Sequence, residues 1–199
     1  MANTVSAIPA SLNSKPKVWS LSDLPELKTG YFLAFKAEGW QRPQVAIIGA
    51  KTYHWELVGD RRVDDEISVG DWQCAGAVSK GIASHLISEY QWRHMRIYQP
   101  TMPPELLDSL GPRLLKRYDW YGDQRYDYKG VVMVALWCLQ RKVGLNMEWW
   151  EHNSNAFWCL EFNNIVMRDL WLPIVPDSEP PYPTNFEQSP RLKLIWGTF

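Results

Sequence analysis

The sequence has no excess of charge of either sign, because 21 Lys and Arg residues stand against 22 Asp and Glu for a net charge of −1. Proteins that bind nucleic acid or anionic lipid through their overall charge carry a clear positive excess. We therefore expect no nucleic-acid partner and no polybasic membrane anchor. Long hydrophobic runs are also missing, since no apolar stretch approaches the roughly 18 residues that a membrane-spanning helix needs.

Cysteine is scarce, and the three that occur, Cys74, Cys138 and Cys159, are far apart. A disulfide framework or a structural zinc site needs closely spaced pairs of Cys or His. We expect neither, and nothing in the sequence predicts a metal or another cofactor. The first 16 residues lack the charged and apolar regions of a secretory signal. The predicted location is therefore cytoplasmic or virion-associated.

What the sequence does contain is an ordinary globular composition, with 199 residues of which 46% are hydrophobic, and an unusual 12 Trp and 14 Pro. This length suits one medium domain. Six of the prolines fall between Pro173 and Pro190, which is typical of an extended segment. The predicted organisation is an N-terminal arm at 1–20, a domain at 21–172 and a Pro-rich tail at 173–199. Both arms are predicted to contact protein partners in an assembly.

The first half of the chain has short apolar or alternating segments, and the second half has longer segments with helical spacing. Strands are predicted at 31–35, 45–48, 53–58, 66–74 and 95–98. Helices are predicted at 103–118, 130–142 and 157–170. The connections between the strands are too short for crossover helices. The sequence therefore predicts an α+β fold in which an antiparallel sheet packs against helices.

Among the thiols, Cys159 has the most favourable predicted position for chemistry. It lies in the first turn of the helix that follows the N-cap candidates Asn153, Ser154 and Asn155. The unpaired amides and the helix dipole favour a thiolate there, and those amides are suited to form an oxyanion hole. Cys159 is thus a candidate nucleophile; the alternative is a buried cysteine at a helix start with no chemical role.

Four histidines, at positions 54, 85, 94 and 152, are candidate acid–base groups because an ordinary imidazole titrates near neutral pH. No two of them have the i, i+4 spacing of a helical metal site. His54 lies in the middle of a predicted strand.

The order of these pieces along the chain resembles a known family. A strand with His54 is followed by a strand that reaches Asp71, a loop containing Tyr126-Asp127, a long helix, and a helix that opens at Cys159. This order resembles the circularly permuted NlpC-type papain-like hydrolases, the YiiX-like and lecithin retinol acyltransferase-like group. In that group the histidine strand precedes the nucleophile helix, which inverts the usual papain order.

The resemblance implies a permuted papain-like fold and a cysteine hydrolase. It assigns Cys159 as the nucleophile, His54 as the base and Asp71 as the acid that orients the imidazole. Because the register of the charged segment before Asp71 is open, Glu56 and Glu66 remain alternatives for the third position. The implied reaction is cleavage of an amide bond in a peptide, with a peptidoglycan-type stem peptide as the substrate by analogy.

Three aromatic residues, Tyr126, Trp55 and Trp158, are predicted to line the substrate cleft. The sequence departs from the family pattern at two places: His54 is flanked by Tyr53 and Trp55 rather than by Ser and Val, and Cys159 is followed by Leu rather than Ser.

Two alternatives follow from these departures. His85, preceded by Ser84, fits the family's histidine motif better, but it leaves too few strands before the Tyr-Asp loop and ranks second. The alternative function is a non-catalytic structural component of a phage virion or another assembly built on the same fold.

Overall fold

The computed structural model describes residues 15–39, 41–62, 71–103, 124–145, 156–176 and 178–199, together with the single positions 106, 113 and 116. Glu66 and most of the helix predicted at 103–118 lie outside the described residues.

Eight strands and four α-helices make up the described part of the fold. In chain order these are β1 Phe32–Lys36, α1 Gln41–Ile48, β2 Thr52–Arg62, β3 Asp71–Val78, β4 Gly81–Leu86, β5 Met95–Pro100, β6 Arg125–Tyr126, α2 Tyr128–Lys142, β7 Ala156–Phe157, α3 Cys159–Arg168, α4 Pro183–Glu187 and β8 Leu192–Gly197. Short 3₁₀ helices lie at Leu21–Asp23 and Ile87–Tyr90.

Six of the strands form one antiparallel sheet in the order β4-β3-β2-β1-β5-β8. The remaining two strands, β6 and β7, pair in parallel just before α2 and α3. The sheet with its helices confirms the predicted α+β class and the antiparallel arrangement.

The sheet is buried on both faces because successive side chains of a strand point to opposite sides. In β1, Phe32 and Ala34 belong to a core with residues of α2 and α3, whereas Leu33 and Phe35 belong to a second core. That second core includes Trp19, whose indole N–H donates to the Arg93 carbonyl at 2.8 Å. Residues from the predicted N-terminal arm therefore cover one face of the sheet.

Strand β2 follows the same alternation, and this places the polar residues that matter for function. Trp55 and Leu57 lie in the core that contains the helices, and Val58 lies in the other core. His54 and Glu56 are two residues apart, so their side chains share one face of β2.

The segment 45–48 was predicted as a strand, and that prediction is wrong because the segment ends helix α1. Only Val45 of this helix is buried, and the helix stops at Gly49, whose φ of +75° is the left-handed conformation common after a helix. Strand β2 also continues beyond the predicted end at 58, through Gly59 and Asp60 to Arg62, with a shift of register between Val58 and Arg61.

The C-terminal segment 173–199 is part of the domain rather than an extended tail. It contains α4 and supplies β8 to the sheet, and Phe186 is completely buried. The Glu187 carboxylate accepts hydrogen bonds from the backbone N–H and the hydroxyl of Thr52, at 2.8 and 2.6 Å. These contacts hold α4 against the start of β2.

Helix α2 is buried along only one stripe. Val134, Trp137 and Cys138 face the core, whereas Val132 and Leu136 are exposed. Within the described ranges, no helix has both the length and the apolar character needed to cross a bilayer.

Gly130 is required where α2 meets the start of α3. The Asp127 side chain caps α2 by accepting from the Gly130 N–H at 2.8 Å, and an added Cβ at Gly130 would overlap both that carboxylate and the Trp158 ring. We expect Gly130→Ala to lower the free energy of unfolding by about 2–3 kcal/mol. Urea unfolding measures this, with Val132→Ala on the exposed side of the same helix as the control. A change within about 0.5 kcal/mol at Gly130 would contradict the expected overlap.

Candidate active site

Cys159 is the first residue of α3, as the sequence predicted for a thiol at a helix start. The residue before it, Trp158, occupies the N-cap position without a side-chain capping bond. Its indole N–H donates instead to the Pro181 carbonyl at 3.0 Å. The first-turn amides of α3 are therefore not capped by this side chain, and they carry the positive end of the helix dipole.

His54 from β2 lies against this helix start. A hydrogen bond joins its ring to the Cys159 side chain, and its Nε2 lies 2.9 Å from Glu56 Oε1. The side chain of His54 is 12% exposed and that of Glu56 is fully buried. The fold thus brings Cys159 to His54 and Glu56, which lie two residues apart on β2 and precede Cys159 in the chain by five strands and helix α2.

The electrostatics of this trio favour a charged imidazole. Burial alone would lower the pKa of His54, but hydrogen bonds with Cys159 and Glu56 outweigh it and raise that pKa to about 9. Burial would raise the pKa of Glu56, but the hydrogen bond and charge of His54 lower it. Glu56 is therefore a carboxylate, and His54 is an imidazolium at neutral pH.

Asp71 was predicted to orient the imidazole, and the structure corrects this. Asp71 pairs with Arg62 in the sheet, eight residues along β2 from His54. Its Oδ1 accepts from the backbone N–H groups of Trp72 and Ser88 at 2.8 and 3.3 Å. The carboxylate beside His54 belongs to Glu56, one of the two alternatives left open by the sequence.

Glu56 has further partners that sequence reasoning missed. The Tyr90 hydroxyl donates to its Oε1 at 2.7 Å, and the Cys74 thiol donates to its Oε2 at 2.9 Å. Gly76 on β3 leaves room for this carboxylate, because a Cβ there would lie 2.8 Å from Glu56 Cγ. No sequence pattern links these residues, because their contact depends on the register of β2 with β3.

Two of the three aromatic residues predicted to line a cleft do not line one. Trp55 is fully buried, and its indole N–H donates to the Thr52 hydroxyl at 2.8 Å. Trp158 is also buried, against Gly130. Both side chains fill the core because large apolar rings gain most by complete burial. Tyr126 is only partly buried.

Two tyrosines lie close enough to Cys159 for its charge to act on their hydroxyl groups. Burial, and then the charge of Cys159, raise the pKa of Tyr126 and of Tyr53. Tyr126 also packs edge-on against Tyr128, with ring centroids 4.8 Å apart. Tyr53 was not predicted as a site residue, although its position next to His54 in the sequence was a usable signal.

The remaining candidates that the structure describes lie away from the thiol–imidazole pair, and His152 lies outside the described residues. Cys138 lies inside α2, where burial raises its pKa to about 11. His85 on β4 has its Nδ1 3.5 Å from Glu89, in a pair separate from Cys159. This arrangement leaves Cys159 as the thiol with a histidine partner among the described residues.

Comparisons with known proteins support the fold of this chain. No known family matches the sequence, and no curated protein sequence matches it either. A solved structure that does match is that of the metalloprotein YiiX from Escherichia coli O157:H7, with a TM-score of 0.56 and 10% sequence identity. The match covers 85% of this chain and 97% of YiiX.

YiiX is described as a metalloprotein. Within the parts of the chain that the structure describes, no group of three His, Cys, Asp or Glu residues is arranged to hold an ion. Near Cys159 the donors bond one another, since Glu56 accepts from His54 and Cys74. The residues present do not fit a metal centre, and what the comparison establishes for this chain is a YiiX-like α+β fold.

Proposed function

We propose that this protein is a cysteine hydrolase in which Cys159 is the nucleophile, His54 the acid–base group and Glu56 the residue that orients the imidazole. The observation that carries the proposal is the unbroken series of hydrogen bonds from the buried Glu56 through His54 to a thiol at a helix start. This series has the order of an acid, an imidazole and a nucleophile in a triad.

The geometry assigns a task to each nitrogen of the His54 ring. Since Nε2 bonds Glu56, Nδ1 is the nitrogen that remains for Cys159. We propose that the proton of the thiol resides on Nδ1 before the substrate binds, so that a Cys159 thiolate lies beside an imidazolium that Glu56 stabilises.

The thiolate sulfur then attacks the carbonyl carbon of the substrate. The new S–C bond moves the carbonyl electron pair to oxygen, and the first-turn amides of Cys159 and Leu160 stabilise this oxyanion. When the oxyanion collapses, the C–N bond breaks and the leaving amine takes the proton from His54. Water attacks the resulting thioester, which releases a carboxylic acid and restores the thiol.

The substrate we propose is a peptide, with the cell-wall stem peptide as the leading candidate. This assignment comes from the resemblance to the NlpC-type papain-like group and not from a described cleft. Tyr126 and Tyr53, on whose hydroxyl groups the charge of Cys159 acts, are the residues proposed to contact the substrate next to the scissile bond.

Selective alkylation of Cys159 tests the proposed activation of its thiol. Cys138 is the matched internal control, because the exposed fractions of Cys159 and Cys138 are 5% and 6%. We expect iodoacetamide at pH 7 to alkylate Cys159 at least ~10-fold faster than Cys138, as measured by peptide mass spectrometry. Because burial raises the pKa of Cys138 to about 11 and by itself slows that thiol, the activation of Cys159 is read from the drop in its own rate in His54→Ala. Equal slow alkylation of both would overturn the proposed activation.

The substrate assignment has a separate test. Incubation with soluble peptidoglycan fragments is expected to produce new free amino groups with the wild-type protein and none with Cys159→Ser. A reactive Cys159 that releases no amino groups would remove the cell-wall peptide as the substrate and leave the thiol chemistry standing.

A non-catalytic role on the same fold, as a component of a phage particle or another assembly, is the second candidate. The small exposure of the thiol and the imidazole favours it, because a closed site admits no substrate. This role predicts that Cys159 reacts at the same rate in the wild type and in His54→Ala, and the alkylation experiment with that variant therefore separates the two functions.

A further inference from the structure

The Glu56 carboxylate is completely buried and accepts three hydrogen bonds from side chains of three different elements. His54 Nε2 and the Tyr90 hydroxyl lie 2.9 and 2.7 Å from Oε1, and the Cys74 thiol lies 2.9 Å from Oε2. Only the His54 contact is part of the proposed triad. The other two require their own explanation, because burial of hydroxyl and thiol groups beside a carboxylate is costly unless they bond it.

We propose that Tyr90 and Cys74 are positioning residues that hold Glu56 ionised and in one orientation against His54. Their catalytic significance rests on the proposed function, but their effect on the imidazole can be measured without any activity. Neither side chain touches the reacting thiol, and both act through Glu56.

The two donors are complementary. With Tyr90 on one oxygen and Cys74 on the other, rotation of the carboxylate would break both bonds, so Oε1 stays directed at His54. Gly76 beside Glu56 Cγ leaves the space in which this single orientation fits. A buried carboxylate that loses such donors becomes easier to protonate, and a protonated acid no longer stabilises an imidazolium.

The surroundings of each donor suit this role. The Tyr90 ring is fixed by contacts with Phe35 and His85, with ring centroids 4.6 and 5.7 Å apart. Burial, and then the charge of Glu56, raise the pKa of both Tyr90 and Cys74, so each keeps the proton that it donates. Cys74 therefore serves as a donor to Glu56 and not as a nucleophile.

The charged and titratable groups that face Glu56 come from every element around it. They are His54 on β2, Cys74 on β3, His85 on β4, Tyr90 in the 3₁₀ helix and Arg93 just after it. His85 lowers the pKa of Glu56 by its charge alone, and Arg93 also acts at a distance. The side chains that form hydrogen bonds with the Glu56 carboxylate are thus His54, Tyr90 and Cys74.

The test is an NMR titration of the His54 ring in the full-length protein. Tyr90→Phe keeps the ring and removes the hydroxyl, and we expect the midpoint of His54 to fall by about one pH unit. Cys74→Ala is expected to shift it in the same direction by less, because a thiol is the weaker donor, and Cys74→Ser to restore it.

Tyr98→Phe is the matched control, since Tyr98 is a buried tyrosine of the other core that packs on Trp55. It is expected to leave the His54 midpoint unchanged. A midpoint that stays at the wild-type value in both Tyr90→Phe and Cys74→Ala overturns the positioning role. If the midpoints shift but Cys159 shows no selective alkylation, the network stands and the hydrolase proposal fails.

Discussion

Replacement of His54 by alanine is expected to slow the alkylation of Cys159 at pH 7 by roughly 30-fold or more. A thiol without a basic partner is only a few per cent thiolate at neutral pH, and the thiolate is the reactive form. In the wild-type protein the imidazole bonds the thiol directly and supplies the positive charge that the thiolate needs. The rate constant for alkylation by iodoacetamide, read from the Cys159 peptide, measures the effect.

Two further variants show whether slower alkylation of Cys159 is caused by the loss of the His54 base. His94→Ala removes another histidine, one that bonds Thr198 at 3.2 Å, and it is expected to leave the rate at Cys159 unchanged. His54→Gln retains more of the volume of His54 and is expected to be as slow as His54→Ala. Unfolding would show itself as rapid alkylation of Cys74 and Cys138, which are buried in the native state. A wild-type rate at Cys159 in folded His54→Ala would exclude His54 as the base.

The meeting of Cys159 and His54 was suggested by local pattern and by the resemblance together. The polar residues 153–155, which lie outside the described residues, predicted a helix from about residue 157, and the structure begins it at Cys159 with Trp158 at the N-cap. The alternating residues around His54 predicted the strand. The fold class followed from the order of strands and helices. What the sequence could not supply was the distance between the two side chains, because this depends on how α3 packs across the sheet.

The third residue of the proposed triad, Glu56, could have been predicted from the local sequence. Glu56 lies two residues after His54, so strand geometry alone places both side chains on one face. Asp71 was favoured by family order, but its position relative to β2 depended on the length of the charged segment that precedes it. The register of β2 with β3 places Asp71 opposite Arg62 and away from His54, and this register cannot be predicted from the residues next to Glu56 or Asp71.

The prediction of an extended tail at 173–199 failed for a related reason. Six prolines suggested an extended tail, yet the same segment carries Phe186 into the core and β8 to the edge of the sheet. An edge strand has one neighbour and weak alternation, so its signal in the sequence is small. Tertiary contacts with β5 decide its structure.

The stability of the protein is expected to depend on pH through the same buried pair. The pKa of His54 is about 9 in the folded protein against an ordinary 6.5, so the folded state binds this proton more tightly. Its stabilising effect is fully present below pH 6.5 and is lost as the pH rises through 9. The pKa of Glu56 is lowered, so its contribution is present above 4.5 and is lost as the pH falls below that value.

Replacement of Glu56 by glutamine isolates the contribution of this carboxylate. The wild-type free energy of unfolding should fall between pH 6.5 and 9 by on the order of 3 kcal/mol from His54 alone. In Glu56→Gln the fall should shrink, because the amide no longer stabilises the imidazolium, and in Glu56→Gln/Cys159→Ser it should nearly vanish. Urea unfolding across this pH range measures each curve.

The pH dependence of the free energy of unfolding of each variant is compared with that of the wild type, because the buried thiols also contribute to it. Cys74 and Cys138 also have raised pKa values, so ionisation of unfolded thiols above about pH 8.5 lowers stability in every variant and cancels in the difference. Glu187→Gln is the control, since Glu187 bonds Thr52 and not His54; its curve should keep the wild-type slope. If Glu56→Gln also kept that slope, the imidazolium would owe nothing to Glu56, and neither the triad nor its supporting network could operate as described.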